Sequence, residues 1–184
     1  MLIDRIEVNG IDSSLMASGY PKQKDDISFD RGARLGKCKP GTGHDCYLKG
    51  ITVTADITAA QYWWLQFQRY HFADIVSSES KMHCLTEMDI DYQCNAYVYE
   101  EVIELVEELV RDYKDNPTRH NFQTLIANVP MGLVLKARIV TNYLQLKTIY
   151  LQRKNHKLEE WQTFCKWLDG LPLFKTLIGE KVIN

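Results

Sequence analysis

Two consecutive segments most constrain the fold of this chain: one in which apolar and polar residues alternate, and the aromatic segment directly after it. Residues 49–57 alternate apolar with polar side chains, which is the period of a strand with one buried face. Residues 59–72 then repeat apolar side chains at helical spacing. The apolar face of that predicted helix carries Ala60, Trp63, Trp64, Phe67 and His71. The sequence therefore predicts a half-buried strand that leads straight into a helix packed on the core.

The rest of the chain adds further strands and helices to this pair. Alternation predicts strands at residues 2–8 and 133–140. Apolar stripes predict helices at 97–114, 118–128 and 158–168, and one that Thr141 or Asn142 caps and that ends at Arg153. Residues 12–43 and 75–83 lack a sustained period, so we expect loops there, the first with room for one short helix. This order predicts an α+β fold, an antiparallel or mixed sheet flanked by helices, in one domain spanning residues 1–184.

Charge and hydropathy limit the partners of the protein. The 184 residues carry a net charge of −2, which argues against an extended basic face for nucleic acid or for a membrane surface. No apolar run approaches the ~20 residues that span a bilayer. The first residues interleave charges with apolar side chains, unlike a secretory signal, so we expect a cytoplasmic protein.

The five cysteines are scattered and odd in number, which favours reduced thiols over a disulfide framework. Cys38, His44 and Cys46 lie close enough in sequence to be considered as zinc ligands. No Cys-x-x-Cys pair accompanies them. We therefore predict no metal site and keep a thiol or metal cluster there as a minor alternative.

A polar cluster along residues 43–83 is the candidate site. His44 lies just before the predicted strand, and Gln66 and Arg69 lie three apart on the helix after it, so both can face one ligand. A serine-bearing segment, residues 77–83, follows. Hydroxyl groups next to a guanidinium suit phosphate or carbonyl groups. These residues predict a pocket for an anionic, aromatic ligand, although an ordinary capped turn would also explain the serines.

The same residues resemble those of the flavin-dependent thymidylate synthases. In that family a Gly-His pair opens a strand and an Arg-His-Arg run lies on the next helix; the interval from His44 to Arg69 is the family's own, without a gap. Gln66 matches too, and residues 77–83 stand where the family has a serine loop, with a one-residue insertion. In the second half the matching positions are Pro130, Thr141, Asn142, Arg153, His156 and Trp161. The resemblance covers about residues 43–170 and extends to phage-borne and prophage-borne relatives without an assigned role.

The resemblance implies a reaction, its cofactors and an assembly. The family converts dUMP to dTMP: reduced FAD supplies hydride, methylenetetrahydrofolate supplies the carbon, and NADPH reduces the flavin. It implies a homotetramer with FAD bound between subunits. By position, the implied FAD contacts are His44, Arg69, Tyr70, His71 and Ser78. The implied nucleotide contacts are Gln66, Arg69, Ser80, Lys81, Asn142 and Lys147.

Departures from the family pattern bear on activity. Tyr70-His71 replaces the family's His-Arg, and Met82 replaces a loop arginine that binds phosphate. Leu144 stands where the family has the arginine that polarises the uracil ring, and losing such a donor typically costs ~3 kcal/mol. Lys147 would replace it only if it points into the site. No catalytic residue is therefore assigned. Two functions stay open: a divergent enzyme acting on dUMP or a related pyrimidine nucleotide, or an inactive nucleotide-binding or interaction protein that keeps the fold.

Overall fold

The computed structural model describes residues 1–180. Within this range the strands are β1 (Leu2–Asn9), β2 (Thr52–Ala60), β3 (Asp74–Ser78) and β4 (Val134–Asn142). The helices are α1 (Ile11–Ala17), α2 (Phe29–Gly36), α3 (Gln61–Phe67), α4 (Lys81–Cys84), α5 (Ile90–Gln93), α6 (Glu100–Asp115), α7 (Arg119–Ala127), α8 (Tyr143–Arg153), α9 (Glu159–Asp169) and α10 (Phe174–Ile178). None of these described helices combines the length and the apolar character that crossing a bilayer requires. The architecture is the α+β arrangement that the sequence predicted.

The strand pairs of the sheet are antiparallel, in the order β1-β2-β4-β3. The central pair, β2 with β4, runs in register from Thr52 opposite Asn142 to Ala60 opposite Val134. The register of β1 on β2 shifts between Asp4 and the residue three positions on, which marks a bulge on the edge strand. The sheet is therefore antiparallel rather than mixed.

One face of the sheet packs on an aromatic core. The buried side chains that β2 contributes to it are Val53, Ala55, Ile57 and Ala59. Trp63 of α3 lies in the same core, with its ring centroid 4.9 Å from those of Phe67 and Trp161. Aromatic pairs at such separations each add about 0.5–1.5 kcal/mol beyond burial. The inward packing predicted for the two tryptophans of α3 is confirmed, and it fixes α3 against α9.

A second apolar cluster lies between the helices that separate β3 from β4. Val106 and Val110 of α6 pack with Leu125 of α7 and with Leu133, which precedes β4. The glutamates of α6 lie mostly on its exposed side. The helix predicted at residues 97–114 is thus confirmed, with its acidic stripe in solvent as its amphipathic pattern indicates.

Two strands run directly into helices, and this continuity positions the candidate site. α3 begins at Gln61 immediately after β2, and α8 begins at Tyr143 immediately after β4. Because β2 and β4 are antiparallel, the two helices start from opposite ends of the sheet. Asn142 caps α8 by accepting a hydrogen bond from the Gln145 amide at 3.0 Å. Of the two residues predicted as the cap, Thr141 and Asn142, it is Asn142 that caps the helix.

Other predicted boundaries were wrong, mostly in short segments. α3 ends at Phe67 rather than near residue 72, so His71 is exposed instead of lying on the buried face. The first predicted loop, residues 12–43, contains most of α1 and all of α2. The second, residues 75–83, contains most of β3 and the start of α4. A further helix, α10, follows the one that we expected to be the last. Segments this short repeat too few times to reveal a period, so tertiary packing decides their structure.

Candidate functional site

A cavity of about 380 Å³, which we call the Lys81 cavity, opens between α3 and the β3–β4 edge of the sheet. Trp64 is part of its apolar wall, and its polar groups are those of Gln61, Gln68, Ser78 and Lys81. The Lys81 ammonium donates a hydrogen bond to Gln61 Oε1, and Gln61 Nε2 donates to the Pro130 carbonyl at 2.8 Å. An aromatic wall beside an ammonium and a hydroxyl suits a planar, negatively charged ligand.

A larger cavity of about 930 Å³, the His44 cavity, lies between α1, α2 and the loop that carries His44. The basic side chains that line it are Lys22, Lys24, Arg31, Arg34 and His44, and none of its described lining residues is acidic. Arg31 is held in place, since its Nε donates to Ser18 Oγ at 2.9 Å and its Nη1 to Asp26 at 3.0 Å. The same Arg31 hydrogen bond lowers the pKa of the Asp26 carboxyl. Positive charge gathered in a concave surface suits the phosphates of a nucleotide.

A buried ion pair holds the His44 loop against α8. Lys147 Nζ donates to Asp45 Oδ2 at 2.6 Å and to the carbonyl oxygens of Gly36 and Cys38, each at 2.8 Å. The Lys147 and Asp45 side chains are each no more than 3% exposed. Three acceptors satisfy the three protons of the ammonium, so the buried charge is both paired and hydrogen-bonded. Asp45 directly follows His44, so this pair determines where the His44 backbone lies.

An aromatic and guanidinium cluster joins the end of α3, the end of α8 and the start of α9. The Arg153 guanidinium carbon lies 4.7 Å from the Trp161 ring centroid, and Arg153 Nε donates to the Tyr70 hydroxyl at 2.8 Å. Gln66 Oε1 accepts from Trp161 Nε1 at 2.9 Å and from Arg153 Nη1 at 3.3 Å. His156 packs beside Trp161, and burial together with the nearby Arg153 charge lowers the pKa of its imidazole. The cluster fixes the orientation of Gln66 and Arg153.

Comparison with known proteins places this geometry on a known fold. The sequence matches no protein-family model and no curated protein. Two crystal structures of the flavin dependent thymidylate synthase ThyX from Helicobacter pylori, both with FAD and dUMP, align with it at a TM-score of 0.73. Each alignment covers 98% of this chain and 98% of the other, at 15% sequence identity. This chain has the fold of the flavin-dependent thymidylate synthases. At that identity the likeness concerns the fold, and function depends on the residues of the site.

On this thymidylate synthase fold, several of the predicted site residues lie together. Ser78 and Lys81 line the same cavity, and Ser80 lies between them in sequence, with its hydroxyl 2.9 Å from His83 Nδ1. Gln66 and Tyr70 both contact Arg153. Most of the nucleotide and flavin contacts implied by the thymidylate synthase pattern that lie together thus fall into two groups, one at the end of β3 and the start of α4, the other at the end of α3 and the turn after it.

Other predicted residues are separated within one chain. Arg69 and His71 are exposed at the turn after α3, and His44 is exposed on its loop. The described residues that line the His44 cavity include neither Arg69 nor His71. A flavin contact shared by His44 and Arg69 is therefore not formed in that cavity by one chain, whereas the thymidylate synthase pattern implies a flavin bound between subunits.

The geometry of Lys147 contradicts its expected role as a nucleotide contact. Its ammonium is buried and bound to Asp45 and to two loop carbonyls, so it neither faces a ligand nor replaces the arginine missing at Leu144. Leu144 is half-buried and packs against the main apolar core. The side-chain oxygen of Asn142 is occupied by the helix cap, which leaves the amide nitrogen to bind a ligand. Met82 is exposed on α4.

Sequence reasoning missed the basic residues of the His44 cavity and the role of Arg153. Lys22, Lys24, Arg31 and Arg34 all fall in the segment that lacks a period, where their density was the available signal. Arg153 was noted as the end of a helix and as a matching position, without a role in the site. Its contacts with Gln66 and Trp161 depend on tertiary structure, and only its match to the thymidylate synthase pattern pointed to it.

The alternative metal site finds no geometric support. Among residues 1–180, no group of three or more His, Cys, Asp or Glu side chains is placed to hold a metal ion. Cys38, His44 and Cys46 line the same cavity without forming such a group. The cysteines are free thiols in this structure, and burial raises the pKa of the Cys165 thiol to about 12.

Proposed function

We propose that this protein binds FAD together with dUMP or a related pyrimidine nucleotide, and catalyses reductive methylation of the base. Methylenetetrahydrofolate would supply the carbon and NADPH would reduce the flavin, in a cytoplasmic homotetramer. The fold supports this proposal, since its solved neighbours are complexes with FAD and dUMP. The observation that carries it is the His44 cavity, which five basic side chains line; one of them, Arg31, is paired with the neighbouring Asp26 carboxylate.

The His44 cavity fits the diphosphate of FAD. Lys22, Lys24 and Arg34 are exposed there and available to bind a ligand, whereas the Arg31 guanidinium is already paired with Asp26 and hydrogen-bonded to Ser18. Guanidinium groups bind phosphate through paired N–H bonds, whereas lysines act as point charges, so the two kinds together suit a diphosphate. The volume of about 930 Å³ also suits a ligand of this size. When bound and reduced, FAD supplies the hydride.

The Lys81 cavity fits the nucleotide. Lys81 provides a cation next to the position where the thymidylate synthase pattern has its loop arginine, since Met82 cannot. Ser78 adds a hydroxyl to this cavity. Arg69 lies outside its lining but carries an exposed guanidinium suited to bidentate binding of phosphate. Because Arg69 does not line the His44 cavity of its own chain, the proposed site takes that cavity from one subunit and Arg69 from another.

Arg153 is the candidate for the cation that Leu144 lacks. Negative charge develops on the pyrimidine during methylation, so the reaction needs a cation or strong donors near the ring. The structure places the Arg153 guanidinium 3.3 Å from the Oε1 atom of Gln66, a predicted nucleotide contact. Stacking on Trp161 holds it without a carboxylate partner in that cluster, so its charge is not neutralised there. Neither Gln66 nor Arg153 lines the Lys81 cavity, so the proposed electrophilic role of Arg153 requires the base to lie outside that cavity, beside Gln66.

A second candidate function is non-catalytic nucleotide binding. The apolar Leu144 and the buried Lys147–Asp45 pair favour it, because neither position offers a cation to the base. This protein would bind FAD or the nucleotide and release no product.

Tritium release from dUMP labelled at C5 distinguishes the two functions. The assay contains FAD, NADPH and methylenetetrahydrofolate, and binding of FAD and of dUMP is measured in parallel. Release above a blank without protein supports the methylating enzyme. Binding of either ligand without release supports the non-catalytic protein, and absence of binding of both ligands would overturn both functions.

A further inference from the structure

We propose that Lys147 is a positioning residue whose ammonium holds the His44 loop, residues 36–46, in the conformation that forms the His44 cavity. The inference rests on the proposed function only for its ligand, FAD. The three acceptors of Lys147 Nζ come from both ends of this loop, because Gly36 and Cys38 lie at its start and Asp45 at its end. One side chain of α8 therefore ties the two ends of the loop together.

Each end of the loop has a further support beside Lys147. A Cβ atom on Gly36 would lie 1.6 Å from the Leu177 carbonyl oxygen, so the end of α2 packs closely against α10. Asp45 is buried through its bond to Lys147, and Tyr47 beyond it donates to the Gly32 carbonyl at 2.9 Å. Two contacts thus join the ends of the loop, the Lys147 ammonium at Asp45 itself and the Tyr47 hydroxyl two residues farther on.

The middle of the loop has little packing of its own. Gly41 and Gly43 have φ values of +88° and +80°, and no atom lies within 4 Å of a Cβ built on either. Its hydrogen bonds are local, such as the bond from the Thr42 amide to the Lys39 carbonyl at 3.3 Å. A segment with few buried contacts opens at low free energy unless its ends are held. The position of His44 therefore depends on the anchors at the ends of the loop, and the anchor next to it in sequence is the Lys147–Asp45 pair.

A buried ion pair fixes the positions of the groups it joins, but it adds little to the free energy of unfolding. Taking two charges out of water costs about as much as their attraction returns, so apolar replacements are often neutral for stability. Removing one partner, by contrast, leaves an unpaired charge in the interior. The informative variant is therefore the double substitution Lys147→Met with Asp45→Asn, which removes both charges, beside the single Lys147→Met. Lys154→Met is the matched control, because Lys154 directly follows α8 and forms a more exposed pair with Glu180.

Two measurements on the full-length protein test the proposal. The first is the rate at which a thiol reagent modifies Cys38, which is half-buried in the loop, relative to exposed Cys84, resolved by peptide mass spectrometry. The second is the dissociation constant for FAD from fluorescence quenching. In the double variant we expect Cys38 to react about tenfold faster and FAD to bind about tenfold more weakly, whereas Lys154→Met changes neither by more than about twofold. The thermal midpoint identifies variants that fail to fold.

Each outcome decides between a positioning role, a purely structural one and none. A folded double variant in which Cys38 reacts at the wild-type rate would show that the ammonium does not hold the loop. A faster reaction with unchanged FAD affinity would reduce Lys147 to a structural anchor and overturn its positioning role. If the wild-type protein binds no FAD, the proposed cofactor is wrong, while the Cys38 rates still decide whether Lys147 holds the loop.

Discussion

Arg153 Nη1 and Gln66 Oε1 lie 3.3 Å apart, although the two residues come from different helices 87 positions apart in sequence. Trp161 Nε1 donates to the same oxygen at 2.9 Å, so the side-chain carbonyl of Gln66 is occupied on the protein side. The amide nitrogen of Gln66 is then the group left to bind a ligand. This contact couples the end of α3 to the end of α8, and it makes Arg153 part of any site that uses Gln66.

Replacing Arg153 tests whether this contact matters for both stability and function. Arg153→Met removes the stacking on Trp161 and the bonds to Gln66 and Tyr70, so we expect the free energy of unfolding to fall by about 1–3 kcal/mol. We also expect loss of tritium release from labelled dUMP. Urea unfolding and the release assay measure the two effects. Arg111→Met, on the exposed side of α6, should change neither; equal behaviour of the two variants would remove Arg153 from the site.

Introducing the arginine of the thymidylate synthase pattern tests what the departure at Leu144 costs. Leu144→Arg adds a cation on the first turn of α8, and we expect tritium release to rise by about tenfold or more if electrophilic help limits the reaction. Leu151→Arg, on the exposed side of the same helix, is the control and should leave release unchanged. If Leu144→Arg folds, binds dUMP and is still inactive, then more than one cation is missing.

The Lys81 cavity can be tested from neighbouring positions of α4. Lys81→Met removes the ammonium of the cavity, and we expect dUMP to bind about tenfold more weakly. Met82→Arg adds the family's guanidinium at an exposed position, and we expect tighter binding. Isothermal titration with dUMP measures both, with Lys49→Met as an exposed control. Unchanged affinity in Lys81→Met would show that the nucleotide binds elsewhere.

Trp63 should be a large contributor to stability. It is fully buried and packs on Phe67, Trp161 and Phe164, so Trp63→Ala should cost about 3–5 kcal/mol of the free energy of unfolding. Leu65→Ala, on the exposed side of α3, should cost less than about 0.5 kcal/mol. Urea unfolding compares them. Similar costs for the two substitutions would contradict the assigned orientation of α3.

The fall in the free energy of unfolding at acidic pH should depend on Asp56. Hydrogen bonds from Arg138 and then Lys136 lower the pKa of this carboxyl from its ordinary value of 3.8. A lowered folded-state pKa contributes stability above the unfolded value and loses it as the pH falls through the folded one. Wild type should therefore be more stable than Asp56→Asn at pH 7, and the difference should shrink below about pH 4. A difference that stays constant down to pH 2 would show that Asp56 acts without its charge.

The long periodic elements could be predicted from sequence because their own pattern determines them. β2, β4, α6, α8 and α9 lie close to their predicted bounds, since each repeats its apolar side chains over several turns or alternations. The edge strand β3 was expected to be a loop, because its residues are mostly exposed and pairing with β4 decides its conformation. The local sequence pattern does not indicate that another strand pairs with this segment.

The candidate site could be predicted only in part, for the same physical reason. The match to a family pattern pointed to His44, Gln66, Ser78 and Lys81, but their grouping depends on how helices pack. The sequence around Lys147 does not distinguish it from a lysine on the exposed side of a helix. Its partner Asp45 lies 102 positions away. The ammonium was therefore assigned to a ligand in the sequence interpretation, whereas the structure uses it to hold the His44 loop.

The most direct test of the proposed function is the absorption spectrum of the purified protein after incubation with FAD and removal of free ligand. We predict flavin bands between about 350 and 500 nm at close to one FAD per chain, because the His44 cavity supplies the charge that a diphosphate needs. The double variant Lys22→Met with Arg34→Met should retain much less flavin. A folded wild-type protein that stays colourless after this treatment would contradict the proposal.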